Sequence, residues 1–252
     1  MRLSRSAFAY QAKTGDDSQL IEALKELADK YKRYGFRKLF RMVQRKGFFW
    51  NHKRVYRVYC SLHLNLRKKP KKRLPVREKV TLEKQMKMNI CWSLDYMSDA
   101  LIRGKRFRTV NVIDDCNREA LVVKASLSLP TKRVIEILEE IAWTKGYPAK
   151  IRIDNGPENI SKELKLWAMA RGIELEYIQP GKPAQNGYIE RFNRTYREEV
   201  LNMHLFRNIK EVQYITDIWM NEYNNERPHQ SLGNLTPREY AKVSNFSTFE
   251  LY

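Results

Sequence analysis

Pro183-Ala-Gln-Asn-Gly-Tyr-Ile-Glu-Arg-Phe-Asn-Arg-Thr-Tyr-Arg197 couples a loop-forming Pro/Gly/Asn cluster to an amphipathic run. At helical spacing Ile189, Phe192, Tyr196 and Val200 share one face, while Asn186, Glu190, Asn193, Arg194 and Arg197 share another. A lone Glu190 would be a first-turn glutamate behind an Asn186 N-cap, favoured by about 0.3–1 kcal/mol from the helix dipole. It acquires a different meaning only if the fold brings further carboxylates to it.

The pattern upstream supplies them. Ile90, Trp92, Leu94 and Tyr96 alternate with Cys91, Ser93 and Asp95, and further strands are expected from Phe107 to Ile113 and from Ala120 to Ala125. Asp114-Asp-Cys-Asn-Arg118 between the latter two has the composition of a hairpin turn. A helix follows from Thr131, with Val134, Ile135, Leu138 and Ile141 inward, closed at Gly146. Next come a short strand over 149–153 ending at Asp154, a helix over 161–171, a strand over 173–178, and the Glu190 helix. Three antiparallel strands and then alternating helices and strands define the α/β class: a ribonuclease-H-like mixed sheet flanked by helices.

In that topology Asp95 lies on the central strand and Asp154 at the carboxyl end of its parallel neighbour, the edge where open α/β sheets bind ligands. Glu190 leans over the same edge. Three clustered carboxylates repel unless cations compensate them. Oxygen-only donors select Mg²⁺ or Mn²⁺, and two such ions ~3.5–4 Å apart serve phosphoryl displacement. The other acids have plainer expectations: Asp114 and Asp115 as turn residues, Glu158 at a helix start, and Asp99, Glu198 and Glu199 solvated. Near the edge, Lys182, Gln185 and Asn186 in the loop, and Asn193, Arg194 and Arg197 on the helix, are candidate DNA contacts. Thr236-Pro-Arg-Glu239 has the form of a capping box with proline at the first helical position.

Charge separates the chain into parts. Residues 1–79 hold 23 Lys and Arg against 6 Asp and Glu, leaving +17 of the total +19 there and +2 in residues 80–252. A domain so basic suits polyanions, because neutralised phosphates release counterions. Amphipathic helices are expected over 18–33, then through Leu39, Phe40 and Val43 to Gly47, then from an Asn51 N-cap with Val55, Val58 and Tyr59 inward. Three such helices suit a helix-turn-helix-like module, with His52, Lys53, Arg54 and Arg57 projecting toward DNA from the third. Arg67-Lys-Lys-Pro-Lys-Lys-Arg73 cannot build a core, so Lys68, Lys69, Lys71 and Lys72 belong to a linker or an arm laid along phosphates. The expected organisation is a helical DNA-binding region over 1–66, a basic linker over 67–88, and a catalytic core with C-terminal helices over 89–252.

Other classes are disfavoured. Cys60, Cys91 and Cys116 form no C-x-x-C pair and read as packing residues, and the four histidines lack ligand-like spacing with them, which argues against zinc and disulfide frameworks. No apolar run approaches the ~20 residues of a spanning helix, so no membrane partner and a cytoplasmic, nucleoid-associated location are expected.

Four segments resemble the catalytic protein of bacterial insertion-sequence transposases of the "IS three" family. They are Trp92-Ser-Leu-Asp-Tyr-Met-Ser-Asp-Ala-Leu101, Arg152-Ile-Asp-Asn-Gly-Pro-Glu158, Gln179 through Asn193, and Tyr223-Asn-Asn-Glu-Arg-Pro-His-Gln-Ser-Leu-Gly233. Thirty-five residues separate Asp154 from Glu190, a spacing that family shares with retroviral integrases. Tyr34-Gly-Phe-Arg37 and Asn51-His-Lys-Arg-Val-Tyr56 resemble its helix-turn-helix-like segment. The resemblance implies that Asp95, Asp154 and Glu190 are the DDE triad, with two Mg²⁺ or Mn²⁺. It also implies cleavage at element ends, 3′-OH joining, and a homo-oligomer on double-stranded DNA. Asn159 stands where relatives usually carry an aromatic, and Gly187 where many have a small residue such as alanine. Met1-Arg-Leu-Ser-Arg-Ser resembles the interior of a longer protein, so an upstream-frame helix-turn-helix protein or fusion is a further expected partner. The alternatives are a ribonuclease-H-fold nuclease without joining activity and a catalytically silent DNA-binding inhibitor of transposition.

Overall fold

A computed structural model describes residues 16–67, 85–156, 160–179 and 183–249, with side chains beyond 244 and at 183–184 left aside. Lys68, Lys69, Lys71, Lys72, Glu158, Asn159 and Lys182 lie outside the described residues. The chain forms two compact units, residues 1–71 and 72–252.

In the first unit α1 (Ser18–Lys30), α2 (Phe36–Arg45) and α3 (His52–Ser61) enclose a core that includes Leu20, Leu24, Leu27, Leu39, Val43, Val55 and Val58. The Asn51 side chain accepts the Lys53 N–H at 2.9 Å, as its N-cap role requires. The first helix ends at Lys30, three residues short of expectation, and Tyr31 and Tyr34 stack in the connection at 4.6 Å.

The second unit is a five-stranded sheet of order β3-β2-β1-β4-β5. Its strands are β1 (Cys91–Ala100), β2 (Arg106–Asp114), β3 (Ala120–Ser126), β4 (Lys150–Ile153) and β5 (Glu174–Tyr177). The first three pair antiparallel, and β4 and β5 extend the sheet in parallel from β1. The intervening α4 (Thr131–Lys145) and α5 (Lys162–Ala170) cover one face over Trp92, Leu94, Val110, Val112, Ile151 and Ile153. On the other face α6 (Gly187–Glu199) and α7 (Ile209–Asn225) pack Ile189, Phe192, Tyr196 and Trp219 against Met97, Phe107, Ile113 and Val123. In the last helix, α8 (Pro237–Phe249), Thr236 Oγ1 accepts the Glu239 N–H and Glu239 Oε2 accepts the Thr236 N–H, so the capping box is formed.

One strand departs from its expected pattern. Alternation puts Ser93 on an outward face and Ile90 inward, with Cys91 expected as a packing residue. Instead Cys91 through Leu94 are all buried, and Ile90 is 36% exposed. A central strand covered by helices on both faces has no solvent side, so period-2 alternation loses its meaning there.

Candidate active site

The ladder sets the site's geometry. Asp95 stands opposite Asn111 on β2, and the parallel pairing Trp92–Ile151 and Ser93–Arg152, continued two residues, brings Asp154 level with Asp95. Asp154 is the first residue past β4. Its Oδ1 accepts the Gly156 N–H at 3.0 Å, and the neighbouring Asn155 side chain donates to the Ile178 carbonyl at 2.6 Å, tying this turn to the end of β5. Glu190 sits exposed in the first turn of α6, preceded by a 3-10 turn over Pro183–Asn186.

Asp95 is half-buried, and its carboxyl is pushed up to about 6. Burial is the main cause; Asp154 and Glu190 add repulsion, against hydrogen bonds from the Tyr96 N–H and Asn193. Asp95 thus feels both other acids. Asn193 Nδ2 donates to Asp95 Oδ2 at 2.7 Å, and Asn111 Nδ2 donates to Asn193 Oδ1 at 2.6 Å, a buried relay that fixes the orientation of the carboxylate. Among the described residues, no group of three or more His, Cys, Asp or Glu is close enough to hold a metal. The donor chemistry nonetheless suits a hard cation: all-oxygen ligands, with excess negative charge that already strains Asp95.

The candidate DNA contacts divide. Asn193 is 7% exposed and Asn186 4%, so both belong to the interior rather than to an open polar face. Gln185 accepts the Gln179 N–H at 2.9 Å across the neck of the loop. Arg194 is exposed and pairs with Glu198 one turn on, at 3.4 Å. Arg197 reaches back to β1, donating to the Ser98 carbonyl at 3.0 Å and to Asp99 at 3.5 Å. In the first unit Lys53 is exposed, and the His52 ring lies edge-on to Phe36 and Phe40. Arg54 and Arg57 both pair with Asp17, bracing α3 against the start of α1.

Two buried ion pairs join residues far apart in sequence. Asp115, expected in a turn, is fully buried. It accepts Ser93 Oγ at 2.6 Å and Arg152 Nη1 at 2.6 Å, and it contacts Cys91 Sγ. Burial pushes its carboxyl up while Ser93 and Arg152 pull it down. Glu199, expected in solvent, instead accepts from the buried Arg227 and from Trp219 Nε1 at 3.0 Å. The available signal was an arginine set between Ile151 and Ile153 in a central strand, since a buried cation requires a partner.

The integrase core domain family matches residues 85–183 and, through a second core description, residues 171–237; the HTH-like domain family matches residues 15–73. The chain is 38% identical to an uncharacterized 31.7 kDa protein of insertion element IS407 from Burkholderia multivorans, covering 95% of this chain and 87% of that one. It is 36% identical to an uncharacterized 39.2 kDa protein of insertion element IS476 from Xanthomonas euvesicatoria, covering 98% and 71%. A simian T-cell lymphotropic virus intasome in complex with the PP2A regulatory subunit B56 gamma shares the fold with TM-score 0.50 and 15% identity, covering 82% of this chain and 70% of that one. Fold and matches together define an integrase-type core preceded by an HTH-like domain. Within that class the chain belongs to the insertion-sequence transposases of the "IS three" family.

Proposed function

We propose that the chain is a transposase catalytic subunit that cleaves phosphodiesters at the ends of its insertion element and joins the freed 3′-OH to target DNA, using Asp95, Asp154 and Glu190. The observation that carries this is the β1–β4 register, which sets Asp154 level with Asp95 at the carboxyl edge of adjacent parallel strands, with Glu190 in the first turn of α6 adding to the repulsion on Asp95. Ionised carboxylates held against their own repulsion are a prepared seat for divalent cations. Mg²⁺ or Mn²⁺ ions, when bound, would polarise the phosphate and offset charge on the attacking and leaving oxygens. Asp95 and Asp154 would hold them from the sheet and Glu190 from the helix.

The remaining work falls to the chain. Asn193 and Asn111 keep the Asp95 oxygens aimed at the edge. In cleavage a water oxygen bonds to phosphorus as the bond to O3′ breaks, leaving a 3′-OH. In joining, that hydroxyl oxygen bonds to a target phosphorus as the target's own O3′ departs. Binding of double-stranded DNA by the HTH-like region and assembly of several copies on two ends complete the reading.

Asp95→Asn, Asp154→Asn and Glu190→Gln test it. Each should reduce Mg²⁺-dependent cleavage of element-end DNA by about 10²–10³-fold or more, the scale of losing a transition-state charge stabiliser, with duplex binding within a few-fold of wild type. Wild-type cleavage by any of the three would sink the assignment.

A further inference from the structure

The β1–β2 hairpin carries charge that the proposed chemistry leaves unused. Residues 80–252 are nearly neutral overall, yet Leu101-Ile-Arg-Gly-Lys-Arg-Phe-Arg108 holds four cations in eight residues. Arg103, Lys105 and Arg106 are exposed, and among the described residues none of them has an ion-pair partner. The nearby acid, Asp99, is already paired with Arg197. Arg108 lies over the Tyr96 ring at 4.9 Å.

The tip is also fixed in place. The Leu101 N–H donates to the Lys105 carbonyl at 2.9 Å and the Gly104 N–H to the Leu101 carbonyl at 2.7 Å. Gly104 has φ 79°, a left-handed conformation that costs glycine little. The Ile102 N–H donates to the Phe206 carbonyl at 2.8 Å, and the Phe107 and Phe206 rings meet edge-on, clamping the hairpin to the segment after α6. Beside the clamp is a cavity of about 470 Å³ lined by Ser98, Asp99, Arg106, Arg108 and Leu127, among others. A rigid display of unpaired cations loses little entropy on meeting a polyanion.

We propose that this hairpin is a second DNA contact, gripping backbone phosphates of the duplex whose phosphodiester lies at Asp95. Its placement relative to the cleaved bond rests on the proposed function; its affinity for phosphates does not. The hairpin is continuous with the strand that carries Asp95. Five residues of strand, Asp95 to Ala100, span about 16 Å, so the turn that follows stands within reach of a duplex engaged at Asp95. Its cations grip without reading sequence, which suits a contact shared by element ends and target alike.

The test is a salt titration of the full chain against a 40-base-pair element-end duplex, without divalent metal, comparing wild type with R103A/K105A/R106A. Each phosphate contact adds about 0.9 to the slope of log affinity against log salt. The triple variant should lose about 2–3 units of slope, so its affinity loss between 50 and 200 mM NaCl should be about 40-fold smaller than that of wild type. R103K/K105R/R106K should keep the wild-type slope, and Lys105→Ala alone should shift it by about 0.9. An alanine triple that melts like wild type and keeps its slope overturns the hairpin assignment. Mg²⁺-dependent cleavage measured in parallel separates the two claims. Wild-type protein that binds but never cuts contradicts the proposed reaction and spares the hairpin; cutting with an unchanged slope in the triple does the reverse.

Discussion

Asp95 is held by the fold in a form the fold disfavours. Its carboxyl ordinarily titrates near 3.8, and in the folded chain near 6. Below pH 3.8 the group is protonated in both folded and unfolded chains and costs nothing. Between 3.8 and 6 the unfolded chain releases its proton first, so stability falls as pH rises; above 6 the cost is complete. In metal-free buffer at pH 7.5, Asp95→Asn should therefore be more stable than wild type by about 1–2 kcal/mol, discounted from the full shift because the group is only half-buried. Melting curves in EDTA should show a rise of a few degrees that shrinks toward pH 4. A variant that melts at or below the wild-type temperature at pH 7.5 would contradict the strain. Asn193 matters at this scale too. Its position on the polar face of the helix suggests solvent and DNA, but its amide is spent inside the protein, between Asp95 and Asn111.

Among the elements, β4 carries the clearest structural test. Arg152 enters the interior from a strand otherwise made of Lys150, Ile151 and Ile153, and it is held by Asp115 at 2.6 Å. Arg152→Leu leaves that carboxylate buried without its cation and should cost about 3–5 kcal/mol in urea unfolding; Asp115→Leu with Arg152→Leu should recover most of it. Equal destabilisation by the single and double variants would mean that the pair is not the reason for the loss. Strand order was legible in sequence because parallel strands need crossover helices, and the spacing of the Thr131 and Ser161 helices allowed few arrangements. Helix starts at Asn51 and Thr236 were legible because caps are local chemistry. The burial of Ser93, the Asp115–Arg152 pair and the Glu199–Arg227 pair were not legible. Each is set by partners 20 or more residues away, and period and turn composition carry no information about those. The acids at the sheet edge were the exception: topology alone placed Asp95 and Asp154 on adjacent strands.

At the scale of the whole molecule, residues 1–79 carry +17 of the total +19, while residues 80–252 are almost neutral apart from patches such as the β1–β2 hairpin. That division suits the proposed function, in which the basic part holds DNA and the other acts on it. Among the described residues no helix is long and apolar enough to cross a membrane. In the proposed function Asp95, Asp154 and Glu190 jointly seat the ions that act on DNA. The measurement that reaches it most directly is anomalous scattering from Mn²⁺ in crystals of the full chain bound to an element-end duplex. Two Mn²⁺ peaks ~3.5–4 Å apart are expected at the sheet edge, with carboxylate oxygens of all three acids as ligands, and their loss in Asp95→Asn. Mn²⁺ bound elsewhere in a complex that cleaves its DNA, or an edge that stays empty at saturating Mn²⁺, would contradict it.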